Sequence, residues 1–497
     1  MTGALAAAAP LAAVLALMIA RHWSAAAAGG AGLLLALALA LGWFNLGGGA
    51  AGPGPALALT GAFLEALHST ATILWIVFPA LALYELQVRT GAMDRIRQAL
   101  LAVSDDRRIL AILIAWFFGL FMEGAAGFGT PVALGAPLLV GIGYPPVRAV
   151  ALALVGHAAG VSFGAVGTPV LVQVEMTGLP PVGLATATAL LHGLAGWILL
   201  VALLRLAGGP RMGWRDGALA LLAALCFLVP FLALAWLTGP ELPTLGGAFL
   251  GTALFLAVLR RLRPQPASGM VGIAGDLAPY AIILGLVLAS RLLPGAPELL
   301  RSASIGWSLQ EAFQGSFQPL YHPDSMLLLG LLAGAVLTGR AGALPAAMRA
   351  AAIWLGPVVL ALAAMLALSR VMVHAGMIRV LAEQAAATGA AWPLLAPAVG
   401  VLGTFVTGSA TASNILFTEF QLGTAEALAL PVLPMVAAQG FGAAVGNIVC
   451  PHNIIAGGAT VGLRKQEGEV LASTAAACAA YALAGGLLTA ILLRLAG

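Results

Sequence analysis

Residues 121–137 read FMEGAAGFGTPVALGAP, and residues 407–414 read TGSATASN. Each interrupts a run otherwise apolar enough to lie in a membrane. Glycine and proline break the first, while hydroxyls and an amide mark the second. Backbone that leaves the helix at membrane depth is tolerated only where it is buried in protein or faces a water-filled cavity. Both stretches therefore read as helix breaks or tips of re-entrant hairpins, within the regions 121–143 and 403–425. Small residues also pack helices tightly, so a purely structural reading of either stretch stays open.

The rest of the chain fits that setting. Of its 497 residues 61% are hydrophobic and 8% charged, and the mean hydropathy is +1.04. A water-soluble domain carries about 25% charged residues. Most of this surface must therefore meet lipid, which excludes a soluble enzyme and a disordered chain. Alanine and leucine dominate, which favours helices over barrel strands. Apolar runs of spanning length lie near 3–20, 28–46, 60–86, 149–171, 182–204, 217–237, 243–259, 276–293, 326–339, 350–369, 428–450 and 471–493. The expected fold is an all-α polytopic membrane protein of about 12 spans plus two broken-helix regions. The first run lacks a basic leader and reads as a membrane helix. Cys226, Cys450 and Cys478 stand singly, in no framework or metal spacing.

Basic residues cluster at 89–108, 205–215, 260–263, 340–349 and 464–465. Counting spans from 260–263 in either direction puts all these loops on one side. By the positive-inside rule that side is cytoplasmic, and both termini are then periplasmic. The basic balance, net charge +4, comes from such loops and does not suggest a nucleic-acid partner.

Two units of similar sequence and opposite orientation are also legible. VRTGAMDRIRQAL (88–100) resembles VHAGMIRVLAEQA (373–385), 33 residues separate Gly91 from Gly124, 32 separate Gly376 from Gly408, and GAVGTPV (164–170) is echoed by AAVGNIV (443–449). Inverted units with broken helices are the architecture of many secondary transporters. The expected division is N-terminal helices 1–59, a first repeat 60–204, linking helices 205–300 and a second repeat 301–497. Similarity from Ala- and Gly-rich composition alone is the competing explanation.

Free N–H groups at half-helix starts suit a carboxylate, helped by the helix dipole. Glu123 precedes the first break. As a buried anion it is costly unless paired, so it is a candidate proton acceptor or a group that bridges the hairpin. His157 could bind an anion, carry a proton or simply satisfy an interhelical hydrogen bond. Gln439, Asn447, His452 and Asn453 line the same cavity or close a helix end. Glu65 and His68, one turn apart, could pair. No nucleotide-binding motif, no cofactor site and no paired nucleophile and base occur, so neither a primary pump nor an enzyme is indicated.

FMEGAAGFGTPVALGAPLLVGIGYPP (121–146), GHAAGVSFGAVGTPV (156–170), VMVHAGM (371–377), TGSATASN and the PHNI segment together resemble the bacterial L-lactate permease family over nearly the whole chain. The resemblance implies proton-coupled import of L-lactate, D-lactate or glycolate across the inner membrane, and places the chain beside families whose paired hairpins often move in an elevator motion. It also implies that 123–131 is the first substrate hairpin and that Ser409, Thr411, Ser413 and Asn414 belong to the second. The sequence departs from the family pattern at Ala410 and around His374 and Ala375. The resulting expectation is a substrate site of Gly127, Gly129, Thr130, His157, Thr168, Ser409, Thr411, Ser413, Asn414 and Asn447, with Glu123 and His157 coupling protons and no metal. Expected partners are a small monocarboxylate, protons and the bilayer, with a homodimer left open. Sodium coupling, anion exchange or efflux are the alternatives.

Overall fold

In hydrocarbon each unpaired backbone N–H or C=O costs several kcal/mol, so apolar runs close their own hydrogen bonds as helices. The computed structural model describes residues 2–21, 23–48, 53–127, 129–208, 213–262, 273–463 and 466–496. Among these, 11 helices are long and apolar enough to cross a membrane, or 12 when Pro181–Ala195 and Trp197–Gly208, bent by 43°, count as one. Helix Trp214–Thr238 shows how they meet lipid: Leu221, Leu225, Val229 and Trp236 recur at helical spacing and are all exposed. The chain is a multi-pass helical membrane protein.

One element departs from the all-helical expectation. Ile305–Leu309 pairs antiparallel with Phe313–Phe317, Trp307 opposite Gly315. The turn between them holds Gln310 and Glu311 at φ of 48° and 60°. This hairpin covers one end of the bundle, where Phe313 meets the ring of His374 and Phe317 that of Trp75.

The same succession of elements runs twice. A long helix, Pro55–Arg89 or Leu344–His374, ends at a left-handed glycine, Gly91 (φ 67°) or Gly376 (φ 73°). A ten-residue amphipathic helix follows, Ala92–Leu101 or Met377–Ala386. Next come two arms separated by a break: Arg107–Ala125 with Thr130–Gly141, then Trp392–Thr407 with Ala410–Ala427. Each unit continues through a helix and a 3-10 turn, Ala158–Phe163 or Asn447–Val449. The GAVG echo does not occupy equivalent places. Gly164–Gly167 follows the first 3-10 turn and holds Ala165 and Val166 at positive φ, whereas Ala443–Gly446 ends a helix before the second. Two non-glycine residues in the left-handed region are a backbone cost that the letters do not announce.

Charged side chains gather at the two ends. At one, Arg95 grips Asp276 through Nε–Oδ2 (2.9 Å) and Nη2–Oδ1 (2.8 Å), and Arg340 joins the same carboxylate. Arg108 pairs with Asp216, and Arg107 lies 4.6 Å above the Tyr144 ring. Arginine-bearing loops at 89–108 and 340 thus meet one another; Arg211, Arg263, Arg464 and Lys465 lie outside the described residues. At the other end Glu65 and His68 do not pair. Glu65 takes His374 (2.8 Å), while His68 lies 3.7 Å from Glu175. Their shared helix face looks at two different neighbours, so each finds a partner across an interface. Arg370 bridges Glu419 (3.2 Å) and Glu65 (3.8 Å).

The apolar interior forms two main bodies. One joins the first three helices to Leu362–Ala375 and to Ile415–Phe417; the other is built around the fully buried π-helix Ile112–Phe118 and its neighbours. There Gly156 passes so close to Ala115 that a Cβ would lie 2.2 Å from its carbonyl oxygen.

Candidate functional site

The two breaks meet. Gly127 (φ 59°) and Gly129 (φ 80°) turn the chain out of helix Gly119–Ala125 and into Thr130–Gly141, a pair of left-handed positions that glycine adopts without steric cost. Gly124 lies inside the preceding helix. A Cβ there would sit 2.5 Å from the Leu245 nitrogen, so its smallness serves helix packing. In the second break Gly408 (φ 78°) ends Trp392–Thr407, and the Ser409 hydroxyl caps the next helix by accepting from the Ala412 N–H at 3.3 Å.

Between the breaks lies a cavity of about 50 Å³ lined by Glu123, Gly127, Gly129, Thr168, Ser409, Thr411, Asn447 and Asn453, among others. A single water needs about 10–15 Å³ on this measure, so a molecule of a few heavy atoms fits. Four helix starts border it: Thr130, residue 168 after the left-handed turn at 165–167, Ala410, and Pro451 with Asn453 two residues on. Each contributes the positive end of a helix dipole, although Pro131, Pro169 and Pro451 carry no N–H and the Thr130 and Ala412 N–H groups are already bonded, to Gly127 O and Ser409 Oγ. The arrangement suits a small anion.

Glu123 is the carboxylate in this wall, 4% exposed. Its Oε1 lies where a Cβ on Gly164 would intrude to 2.0 Å, so the glycine makes room for it. Its Oε2 lies 4.0 Å from His157 Nε2 and has no hydrogen-bond partner. His157 Nδ1 is 2.6 Å from the Ala153 carbonyl. A carbonyl can only accept, so Nδ1 carries the hydrogen and neutral His157 turns its Nε2 lone pair toward Glu123. A protonated Glu123 could donate to that lone pair after a small approach; an ionised one could not.

The remaining sequence candidates divide by position. Thr168 lines the cavity, though its hydroxyl donates to Ala165 O (2.6 Å). Thr130 sits just behind and donates to Gly127 O (2.8 Å). Ser413 and Asn414 are not on the wall. One turn into their helix they face protein, Ser413 donating to Gly400 O (2.9 Å) and Asn414 to Pro169 O (2.9 Å), so they tie the second hairpin down. His157 stands behind Glu123. Asn453 does line the cavity and donates to Asn447 Oδ1 at 2.6 Å. Its nearness to Asn447 and Pro451 was the only signal in the sequence. Gln439 lies deeper and reaches Ser413 Oγ at 3.3 Å.

A second buried histidine is occupied elsewhere. Ser162 Oγ donates to Gly440 O (3.0 Å), so it accepts from His192 Nε2 (2.8 Å), and His192 Nδ1 accepts from Tyr481 OH (2.6 Å). A larger apolar cavity of about 510 Å³ adjoins the polar one. The two share Thr168, Ser409 and Thr411, and the larger reaches Ile73, Val77 and Met365 on the long helices.

The chain is similar to known proteins over most of its length. The family model described as L-lactate permease matches residues 3–269 and 313–496. An L-lactate permease of Streptococcus iniae is 32% identical over 388 residues, 74% of this chain and 81% of that one. The glycolate permease GlcA of Escherichia coli K12 is 29% identical over 491 residues, covering 87% and 86%. Among solved structures, Neisseria gonorrhoeae MtrF, described as one of a class of antimetabolite efflux pumps, aligns with a TM-score of 0.53 at 14% identity over 95% of each chain. That likeness concerns fold alone.

Proposed function

This chain belongs to the L-lactate permease family, and on that premise we propose that it is a proton-coupled secondary transporter. It imports L-lactate and related small 2-hydroxymonocarboxylates, such as glycolate, across the bacterial inner membrane. The observation that carries the reading is the meeting of four helix starts with a buried carboxylate in one small cavity.

The substrate carboxylate takes N–H groups at the helix starts and the hydroxyls of Ser409 and Thr411. Its 2-hydroxyl bonds to the Asn447 and Asn453 amides. An ionised Glu123 repels an anion in the same cavity, so substrate and proton bind best together. Protonated Glu123 offers its O–H toward His157 Nε2. Empty with Glu123 ionised, or loaded with Glu123 protonated, the site carries the same single negative charge. One anion then crosses with one proton and no net charge moves.

The repeated order of elements supports two units of opposite orientation, and the clustering of arginine loops supports their cytoplasmic placement with periplasmic termini. The 510 Å³ cavity between residues 407–415 of the second hairpin and Ile73, Val77, Leu362 and Met365 of the long helices supports an elevator movement of the hairpins against those helices. Uptake of radiolabelled L-lactate by the purified chain in sealed vesicles tests the reading. Accumulation driven by an inward proton gradient, competed by glycolate, is the expected result. Accumulation under a sodium gradient alone, or counterflow with no response to pH, would replace proton symport with sodium symport or exchange.

A further inference from the structure

The β-hairpin roofs a separate cavity of about 380 Å³, formed where helices Pro55–Arg89, 168–177, Pro181–Ala195 and Ala274–Leu292 end or pass. Arg291 and Arg301 both line it. The Arg291 side chain is only 7% exposed. Its Nη2 donates to Glu241 Oε1 at 3.2 Å, yet Nε and Nη1 have no acceptor. Its guanidinium lies 3.8 Å above the Tyr321 ring, and Arg301 lies 4.3 Å from the same ring while donating to Tyr321 OH at 2.7 Å. A buried guanidinium with N–H groups unanswered is costly, and a carboxylate is the partner whose geometry suits it best.

The cavity also stands on a route. Ile73 lines both this chamber and the 510 Å³ apolar cavity, which in turn shares Thr168, Ser409 and Thr411 with the hairpin site. The helix that opens at residue 168 in the hairpin site presents Glu175 to the chamber, seven residues on, a rise of about 10 Å.

We propose that the chamber under the β-hairpin is an outer binding site for a small monocarboxylate, held by Arg291 with Arg301 beside it. There the anion waits before passing Ile73 toward the hairpins. Glu241 competes with it for the Arg291 guanidinium. The assignment of this anion as a transported substrate rests on the transport reading above; the site itself does not.

The test compares full-length wild type with Arg291→Gln, Glu241→Gln and the double variant, using radiolabelled L-lactate in two assays. Equilibrium binding to the purified protein reads the chamber directly, and proton-driven uptake in vesicles reads its use. Arg291→Gln should weaken lactate binding and raise the KM for uptake by about tenfold, the equivalent of one charge-assisted hydrogen bond, with kcat nearly unchanged. Glu241→Gln should lower KM by removing the competing carboxylate. The double variant, which leaves neither charge unpaired, should fold and bind as weakly as Arg291→Gln. A merely structural ion pair predicts instead that both single variants lose kcat or yield alike and that the double variant restores binding and KM. That result, or lactate binding unchanged in Arg291→Gln, overturns the proposal. Should wild type fail to transport lactate, the transport reading falls; loss of lactate binding in Arg291→Gln would still sustain the chamber, and no binding to wild type would end it.

Discussion

Gly164→Ala puts the coupling carboxylate under direct mechanical test. The new Cβ would lie 2.0 Å from Glu123 Oε1, whereas real Cβ contacts do not fall below 3.0 Å and ordinary contact begins at 3.4 Å. The carboxylate must therefore retreat by about 1.0–1.4 Å, in a wall where its residue is 4% exposed. Forcing a methyl into packed protein costs about 1–3 kcal/mol, and displacing a reacting group by about 1 Å costs on the order of a hundredfold in rate. Proton-driven lactate uptake in vesicles should fall to about one hundredth of wild type in this variant. Glu123→Asp shortens the side chain by one methylene, about 1.5 Å along the chain, close to the retreat required. Alone it should impair uptake by pulling the carboxylate away from His157. Combined with Gly164→Ala it should recover at least tenfold over the glycine variant, a coupling of about 1.4 kcal/mol in a double-mutant cycle. Wild-type uptake by Gly164→Ala, or a double variant no better than the worse single one, would refute the placement of Glu123 and its role.

Three further outcomes follow from the same geometry. Glu123→Gln keeps the cavity permanently without that charge, so lactate counterflow should persist while accumulation driven by a proton gradient disappears; gradient-driven accumulation intact in this variant would contradict proton coupling through Glu123. Ser409→Ala removes the cap on the Ala412 N–H and should destabilise the chain by about 1 kcal/mol, read as a lower Tm in detergent, with a larger effect on lactate KM because the hydroxyl also faces the cavity. His192→Phe strands the Tyr481 hydroxyl, while Ser162 keeps Gly440 O, and should cost about 1–3 kcal/mol for the stranded group. Adding Tyr481→Phe should return part of that loss, and a Tm that falls further would argue against the pairing.

The breaks were legible because glycine, proline and hydroxyls crowd together there within otherwise apolar runs. Gly91 and Gly376 were legible for a related reason: each stands between a long apolar run and an amphipathic one, where a left-handed residue stops one helix and starts the next. Ser413 and Asn414 lie behind the cavity wall, a placement not legible because a hydroxyl-rich sequence does not reveal which side of its helix faces a cavity. The β-hairpin did carry alternation, with Ile305, Trp307 and Leu309 facing one way, but its turn uses Gln310 and Glu311 rather than Asn-Gly or Gly-Gly. Arg291 is not legible as a buried residue because an arginine ending an apolar run ordinarily reaches water; Glu241, Tyr321 and the chamber around it are brought there by the fold.

The hydrogen bonds around His192 have a bearing on energy conservation. Every hydrogen in that chain points the same way, from Tyr481 through His192 and Ser162, and the last one rests on the Gly440 amide oxygen. An amide oxygen does not relay a proton onward, so the wire is a dead end. A cell that spends its proton gradient on nutrient gathering loses it wherever a carrier lets protons slip through unaccompanied. By tying off its other deeply buried histidine, this bundle closes one path for such a short circuit.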